Sequence, residues 1–120
     1  IIHLEPIDKI EKMYAAADFF ILPSIYEPFG NANLEALASG LPIITSRNCG
    51  VAEIITPSKE GIILEEPSDS KVIAEAIDCL MNPKNRGLMA NSARMLAEKF
   101  TQERNASVMI EIYQNLIEHR

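Results

Sequence analysis

The sequence has no cluster of basic residues: 11 Lys and Arg are scattered against 17 Asp and Glu, for a net charge of −6. Binding to nucleic acid or to an anionic membrane needs concentrated positive charge, so this balance excludes nucleic acid as a partner. No apolar stretch approaches the roughly 20 residues of a membrane-spanning helix. There is no basic-then-apolar signal segment. Cysteine is scarce: Cys49 and Cys79 stand alone, in no CxxC pair and with no His nearby. They read as two reduced thiols of a cytoplasmic protein, and no metal-ligand spacing appears. No Ser-His-Asp or Cys-His set is visible. Trp is absent, and aromatic residues make up 6% of the chain. An initiating Met is also missing: the chain opens on Ile-Ile-His-Leu, which reads as a strand already under way, and a piece of something longer is expected.

What is present suffices for one small domain. The chain has 120 residues, of which 48% are hydrophobic. Residues 1–4 form a candidate strand ended by Pro6. Asp8 and Glu11 have the spacing of a capping box, and Ile10, Met13, Tyr14 and Ala17 then follow along one helix face. Phe19–Leu22 is apolar without alternation, as expected of a strand covered on both sides. Ser24–Gly30 is a loop, and Asn31–Ser39 a helix stopped by Gly40. Pro42–Thr45 and Gly61–Leu64 are further strands, with a short helical turn expected within Val51–Thr56. Three helices follow. Their apolar faces are Val72, Ile73, Ala76, Ile77 and Leu80, opened by Ser68 or Asp69; Leu88, Met89, Ala93, Leu96 and Phe100; and Ala106, Met109, Ile110, Tyr113 and Ile117. The five Met residues and Cys79 read as core.

Buried strands alternating with helices predict an α/β fold, a Rossmann-like parallel sheet with flanking helices and right-handed crossovers. Ligands of such sheets sit beyond the carboxyl ends of the strands. That points to the loops Pro23–Gly30 and Ser46–Gly50.

The first of these loops carries the chemistry. It turns through Gly30 into a helix whose first amides have no internal partners and lie at the positive end of the dipole, a place that fits a phosphate. Glu27 lies in the loop and Glu35 about one turn into the helix. A carboxylate accepts through two oxygens and can take both hydroxyls of a vicinal diol, such as ribose or a hexose offers. A diphosphate at the helix start flanked by two such carboxylates describes a nucleotide-sugar site.

The spacing Glu27-Pro28-Phe29-Gly30 to Glu35-Ala36-Leu37-Ala38-Ser39-Gly40-Leu41-Pro42 resembles the Glu-x7-Glu signature of the retaining GT-B glycosyltransferases. That family includes many bacterial lipopolysaccharide, capsule and mannosyl transferases. Tyr14 to Asp18 with Leu22-Pro23-Ser24, then Gly50-Val51-Ala52-Glu53 and Gly61, fall in the family's order. The resemblance covers nearly the whole chain. It implies the C-terminal portion of a donor-binding domain, residues 1–120, with the acceptor domain and the basic pair for the diphosphate upstream. Glu27 then contacts donor-sugar hydroxyls at the reaction centre and is the implied catalytic residue. Phe29, Gly30, Asn31 and Ala32 meet sugar and diphosphate through backbone amides, and Glu35 binds the ribose diol. The implied reaction moves a sugar from a nucleoside diphosphate to an acceptor hydroxyl with retention, without a metal or other cofactor. The acceptor, a glycan, lipid or small molecule, is expected to bind the upstream domain, and the present chain alone to be inactive. A cytoplasmic setting is expected, and any peripheral membrane association would be a matter for the intact protein. Cys49 stands where the family has the first of two glycines, and Gln102 where a Trp is common.

Two other readings compete. One is a GT-B-fold sugar-nucleotide epimerase. The other is a non-catalytic Rossmann-like binding module. Arg47 reads as a surface residue, and Glu53 as a tether of its own turn. An open sheet edge near residues 1–4 and Phe19–Leu22 is expected to favour a homodimer of this chain.

Overall fold

The computed structural model describes residues 2–3 and 5–119. Of the candidate strand 1–4, residues 1 and 4 lie outside the described residues, and Ile2 and His3 are in neither helix nor strand. The elements run α1 (Ile10–Ala16), β1 (Phe20–Leu22), α2 (Asn31–Ala38), β2 (Ile43–Ser46), a 3-10 turn (Gly50–Glu53), β3 (Gly61–Leu64), α3 (Ser70–Met81), α4 (Pro83–Ala97) and α5 (Gln102–Glu118). Among the described residues the sheet has three parallel strands in the order β1-β2-β3. Phe20 pairs with Ile43, and Ile43 with Gly61.

The middle strand shows why the sheet needs helices on both faces. Every residue of β2 is buried. Successive side chains of a strand point to opposite sides, so neighbours enter different cores. Ile43 packs with Leu37, Leu41, Val51 and Ala93, whereas Ile44 packs with Leu64, Ala76, Leu80 and Met89. Helix α4 serves both, through Ala93 and Ala97 on one side and Met89 on the other. Fully burying an aliphatic side chain such as Leu37 or Ile44 contributes about 1.5–3 kcal/mol. Gly61 permits the close approach of β3: a Cβ there would meet the Ile43 carbonyl oxygen.

Helix ends follow their sequence signals in most places. Asp69, Asn82 and Thr101 accept from the backbone N–H of Lys71, Lys84 and Arg104 and cap α3, α4 and α5. At the end of α2, Gly40 adopts φ 78°. The Leu41 N–H reaches the Ala36 carbonyl at 3.0 Å and the Gly40 N–H that of Leu37 at 2.9 Å, a Schellman closure. Arg86 donates to the last carbonyls of α3, Leu80 and Met81, and pairs with Asp18 at 3.2 Å.

Several expectations are corrected. The Asp8–Glu11 capping box does not form: Lys9 is the N-cap of α1, without a side-chain bond, and Tyr14 is the buried residue of that helix. Strand β1 is half-buried rather than covered on both sides, because it lies at the edge of the sheet. Cys79 is exposed, one position before the buried Leu80, so the apolar face of α3 turns past it. Of the five Met residues, Met89 is buried, while Met13, Met81, Met95 and Met109 are exposed. The helix-spaced apolar residues of α5 cover nothing: no described residue of that helix is buried.

Candidate functional site

The site grows from the carboxyl ends of β1 and β2. After Leu22 the chain runs out through Pro23–Phe29 and returns at Gly30. After Ser46 it makes a second loop into the 3-10 turn. The two loops are stitched together by backbone. Glu27 N–H donates to Asn48 O at 3.3 Å, and Gly50 N–H donates to Glu27 O at 3.0 Å. Val51 N–H donates to Phe29 O at 3.0 Å. The same carbonyl accepts from the Cys49 thiol at 3.2 Å. Glu27 and Cys49 thereby form an isolated parallel bridge that continues the sheet beyond its last regular residue. Gly50 makes this approach feasible, since a Cβ on it would strike the Pro28 carbonyl oxygen.

Gly30 closes the first loop at φ 79° and ψ 66°, the left-handed region, and serves as N-cap of α2. Among the described residues no side chain caps this helix. Asn33 N–H donates to Gly30 O at 2.8 Å, so the amides of Asn31 and Ala32 are the ones left to solvent or to a ligand at the positive end of the dipole. A Cβ at Gly30 would come within 2.7 Å of Asn33 Nδ2, 2.9 Å of Cys49 Sγ and 3.2 Å of Glu27 Cγ. Gly30 is thus surrounded by the side chains of both loops, and Glu27 folds over it.

Glu35 lies on the exposed side of α2, where Tyr14 donates to its Oε2 at 3.0 Å. The Tyr14 hydroxyl is also 3.5 Å from the Ala32 carbonyl. Burial first, and then the neighbouring Glu35 carboxylate, push the Tyr14 phenol up from 10.0 to about 12. A cleft of about 1130 Å³ opens between α2, the end of α4 and the start of α5. Phe29, Asn31 and Glu35 line it together with Arg94, Lys99 and Arg104. Of the residues singled out from the sequence, Phe29, Asn31 and Glu35 share this cleft. Glu27 and Gly30 sit with Cys49 at the loop junction, and Ala32 turns its carbonyl toward Tyr14.

Three features escaped the sequence. Tyr14 looked like any apolar helix position. Asn33 is fully buried, with Nδ2 3.4 Å from both Thr45 Oγ1 and Cys49 Sγ; an amide inside an Ala- and Leu-rich helix was the available signal. The basic residues of the cleft come from α4, α5 and the turn between them, more than fifty positions beyond Glu35, and no local pattern links them. Arg47 is exposed and paired with Glu65 at 2.8 Å, as a surface residue would be. Glu53 is exposed; the buried carboxylate of this region is Glu60, which accepts the Thr56 N–H at 2.7 Å.

A parallel α/β sheet with an uncapped, glycine-led helix start beyond its carboxyl edge defines a Rossmann-like ligand-binding fold. Residues 1–112 match the family of Glycosyl transferases group 1, and the chain belongs to that family. It is 33% identical over 113 residues to an uncharacterized glycosyltransferase of Methanocaldococcus jannaschii, MJ1607, covering 92% of this chain and 29% of that protein. The fold superposes on sucrose-phosphate synthase from Thermosynechococcus elongatus with a TM-score of 0.83 and 30% identity, over 92% of this chain and 28% of the other. Anabaena HepE, solved in complex with UDP, shares the fold at a TM-score of 0.76 and 23% identity, over 92% of this chain and 30% of that one. The chain therefore spans less than a third of each of these proteins. Among the described residues no helix is long and apolar enough to cross a membrane.

Proposed function

We propose that the chain is the C-terminal portion of the donor-binding domain of a retaining glycosyltransferase. The intact enzyme transfers a sugar from a nucleoside-diphosphate sugar to an acceptor hydroxyl, with the acceptor held by an upstream domain. The observation that carries this reading is the loop junction. It fixes Glu27 over Gly30 while leaving the start of α2 without a side-chain cap.

On this reading Glu27 accepts hydroxyls of the donor sugar. The amides that follow Phe29 and Gly30 meet the diphosphate, and Asn31 and Ala32 supply the first of them. Oriented N–H groups at a helix start stabilise the charge that develops on the departing diphosphate without a metal ion. Glu35, on the cleft side of the same helix, takes the ribose hydroxyls. Of the basic residues that line the cleft, Arg94 is paired with Glu98 at 3.4 Å, and Lys99 and Arg104 are the cations that suit an anionic donor. The setting proposed is cytoplasmic.

The test is calorimetric titration of UDP, GDP and ADP, with their sugar conjugates, into the full-length protein and its Glu35→Ala variant. One nucleotide is expected to bind, and the variant to weaken it by about tenfold or more, the scale of a hydrogen bond to a charged group. Analysis of the product anomer separates retention from inversion, and product identity separates transfer from epimerisation. Failure of all three nucleotides to bind the full-length protein overturns the proposal.

A further inference from the structure

We propose that Tyr14 is a positioning residue for Glu35, holding its carboxylate in the rotamer that meets the donor's ribose. The proposal rests on the reading of Glu35 given above and extends it to a second side chain.

The geometry has a fixed end and a free end. Tyr14 is the fixed one. It is buried at 7% exposure, and its ring packs edge-on against Phe20 of β1, with centroids 5.9 Å apart and planes at 72°. The sheet thus anchors the ring, and its hydroxyl emerges at a defined place beside α2. Glu35 is the free end. It is exposed, and a Glu side chain has several staggered rotamers open to it on a helix surface. The hydroxyl donates to Oε2 at 3.0 Å and so selects among them. A hydrogen bond to an ionised acceptor is shorter and stronger than a neutral one. The carboxylate has about four lone-pair sites. Tyr14 occupies one on Oε2, which leaves Oε1 whole for a ligand hydroxyl. Burial and the adjacent carboxylate keep the phenol protonated, and therefore donating, up to about pH 12. Leu34 and Glu35 line the cleft, whereas Tyr14 does not. Tyr14 therefore acts on a ligand through Glu35.

A tyrosine that merely ties α1 to α2 would make the same bond, so the test must read the ribose. The protein is the full-length enzyme. UDP, GDP and ADP are titrated, and the nucleotide that binds is compared with its 2′-deoxy and 3′-deoxy forms. The variants are Tyr14→Phe, Glu35→Ala and the double substitution; phenylalanine keeps the ring on Phe20, and a thermal melt confirms folding. Tyr14→Phe is expected to weaken the ribonucleotide by about 3–10-fold, the scale of one hydrogen bond, and to weaken at least one deoxy form less. It is expected to add nothing in the Glu35→Ala background. If Tyr14→Phe leaves affinity unchanged, weakens ribo and deoxy forms alike, or adds its full effect to Glu35→Ala, the positioning role is wrong while the Glu35 reading stands. If Glu35→Ala keeps the full preference for ribose, or no nucleotide binds, the reading of Glu35 fails and the positioning role with it.

Discussion

Gly50 lies against Pro28 so closely that no side chain fits between them: a Cβ on Gly50 would overlap the Pro28 carbonyl oxygen and touch Phe29 Cα at 3.0 Å. This contact locks the two loops of the site at one spacing. Backbone cannot swing aside as a flexible side chain can. Gly50→Ala is therefore expected to lower stability by about 1–3 kcal/mol, the usual cost of overpacking, measured by urea unfolding. Nucleotide affinity should fall with it, because Glu27 and Phe29 are displaced. A variant with unchanged stability and affinity would show that the loops are not locked here.

The two thiols should differ in reactivity. Cys49 is 1% exposed beneath Phe29, and Cys79 is on the surface. In the 120-residue chain a thiol reagent is expected to label one of these two cysteines when native and both in denaturant. Cys79→Ser should abolish the native reaction. Rapid labelling of two thiols in the folded state would mean that the loop junction opens readily.

Core and surface leucines should separate cleanly. Leu37 is fully buried between α2 and β2, whereas Leu88 is 70% exposed on α4. Leu37→Ala is expected to cost about 2–5 kcal/mol, and Leu88→Ala to stay within about 0.5 kcal/mol of the parent. Equal losses in denaturant melts would place Leu88 in a core that the structure does not show.

Tyr14 should titrate late. Its phenol is raised from 10.0 to about 12, first by burial and then by Glu35. A group whose folded-state value is raised contributes stability that is complete below the unfolded value and lost as pH rises through the folded one. Stability attributable to Tyr14 is thus present below pH 10 and declines between about 10 and 12. The difference ultraviolet titration of wild type minus Tyr14→Phe isolates this group. A midpoint near 10 would contradict it.

Self-association is the last expectation. The strand β1 lies at the edge of the sheet, and α5 exposes Met109, Ile110, Tyr113, Leu116 and Ile117. Light scattering of the 120-residue chain should give a mass that rises above 13.3 kDa with concentration. A strictly monomeric profile at high concentration counts against it.

The sequence was most legible where local rules act alone. Gly61–Leu64 is observed with its expected bounds, because a short apolar run between a turn and an acidic loop leaves few alternatives. Gly40 ends α2 as a left-handed glycine should. The first loop of the candidate site could be marked from the sequence because Gly30 and the two carboxylates lie within nine consecutive residues. What stayed hidden depends on distance along the chain. The bond from Tyr14 to Glu35 joins residues 21 positions apart, and the burial of Asn33 depends on Thr45 and Cys49 in other segments. The helix-spaced apolar residues of α5 predicted a helix correctly and burial wrongly, since periodicity reports an apolar face and says nothing of what covers it.

Helix α5 and strand β2 should therefore keep different time in heavy water. The amides of β2 are sealed within the sheet between two cores, so their deuterium uptake waits for global unfolding. A 17-residue helix with no buried side chain has little beyond its own ladder and the Thr101 cap to hold it. Most of the stability of a helix in a protein comes from packing of its apolar face rather than from intrinsic propensity. Its amides should exchange by local fraying, orders of magnitude sooner. The rate at which α5 takes up deuterium becomes a gauge of whatever surface rests on it in solution.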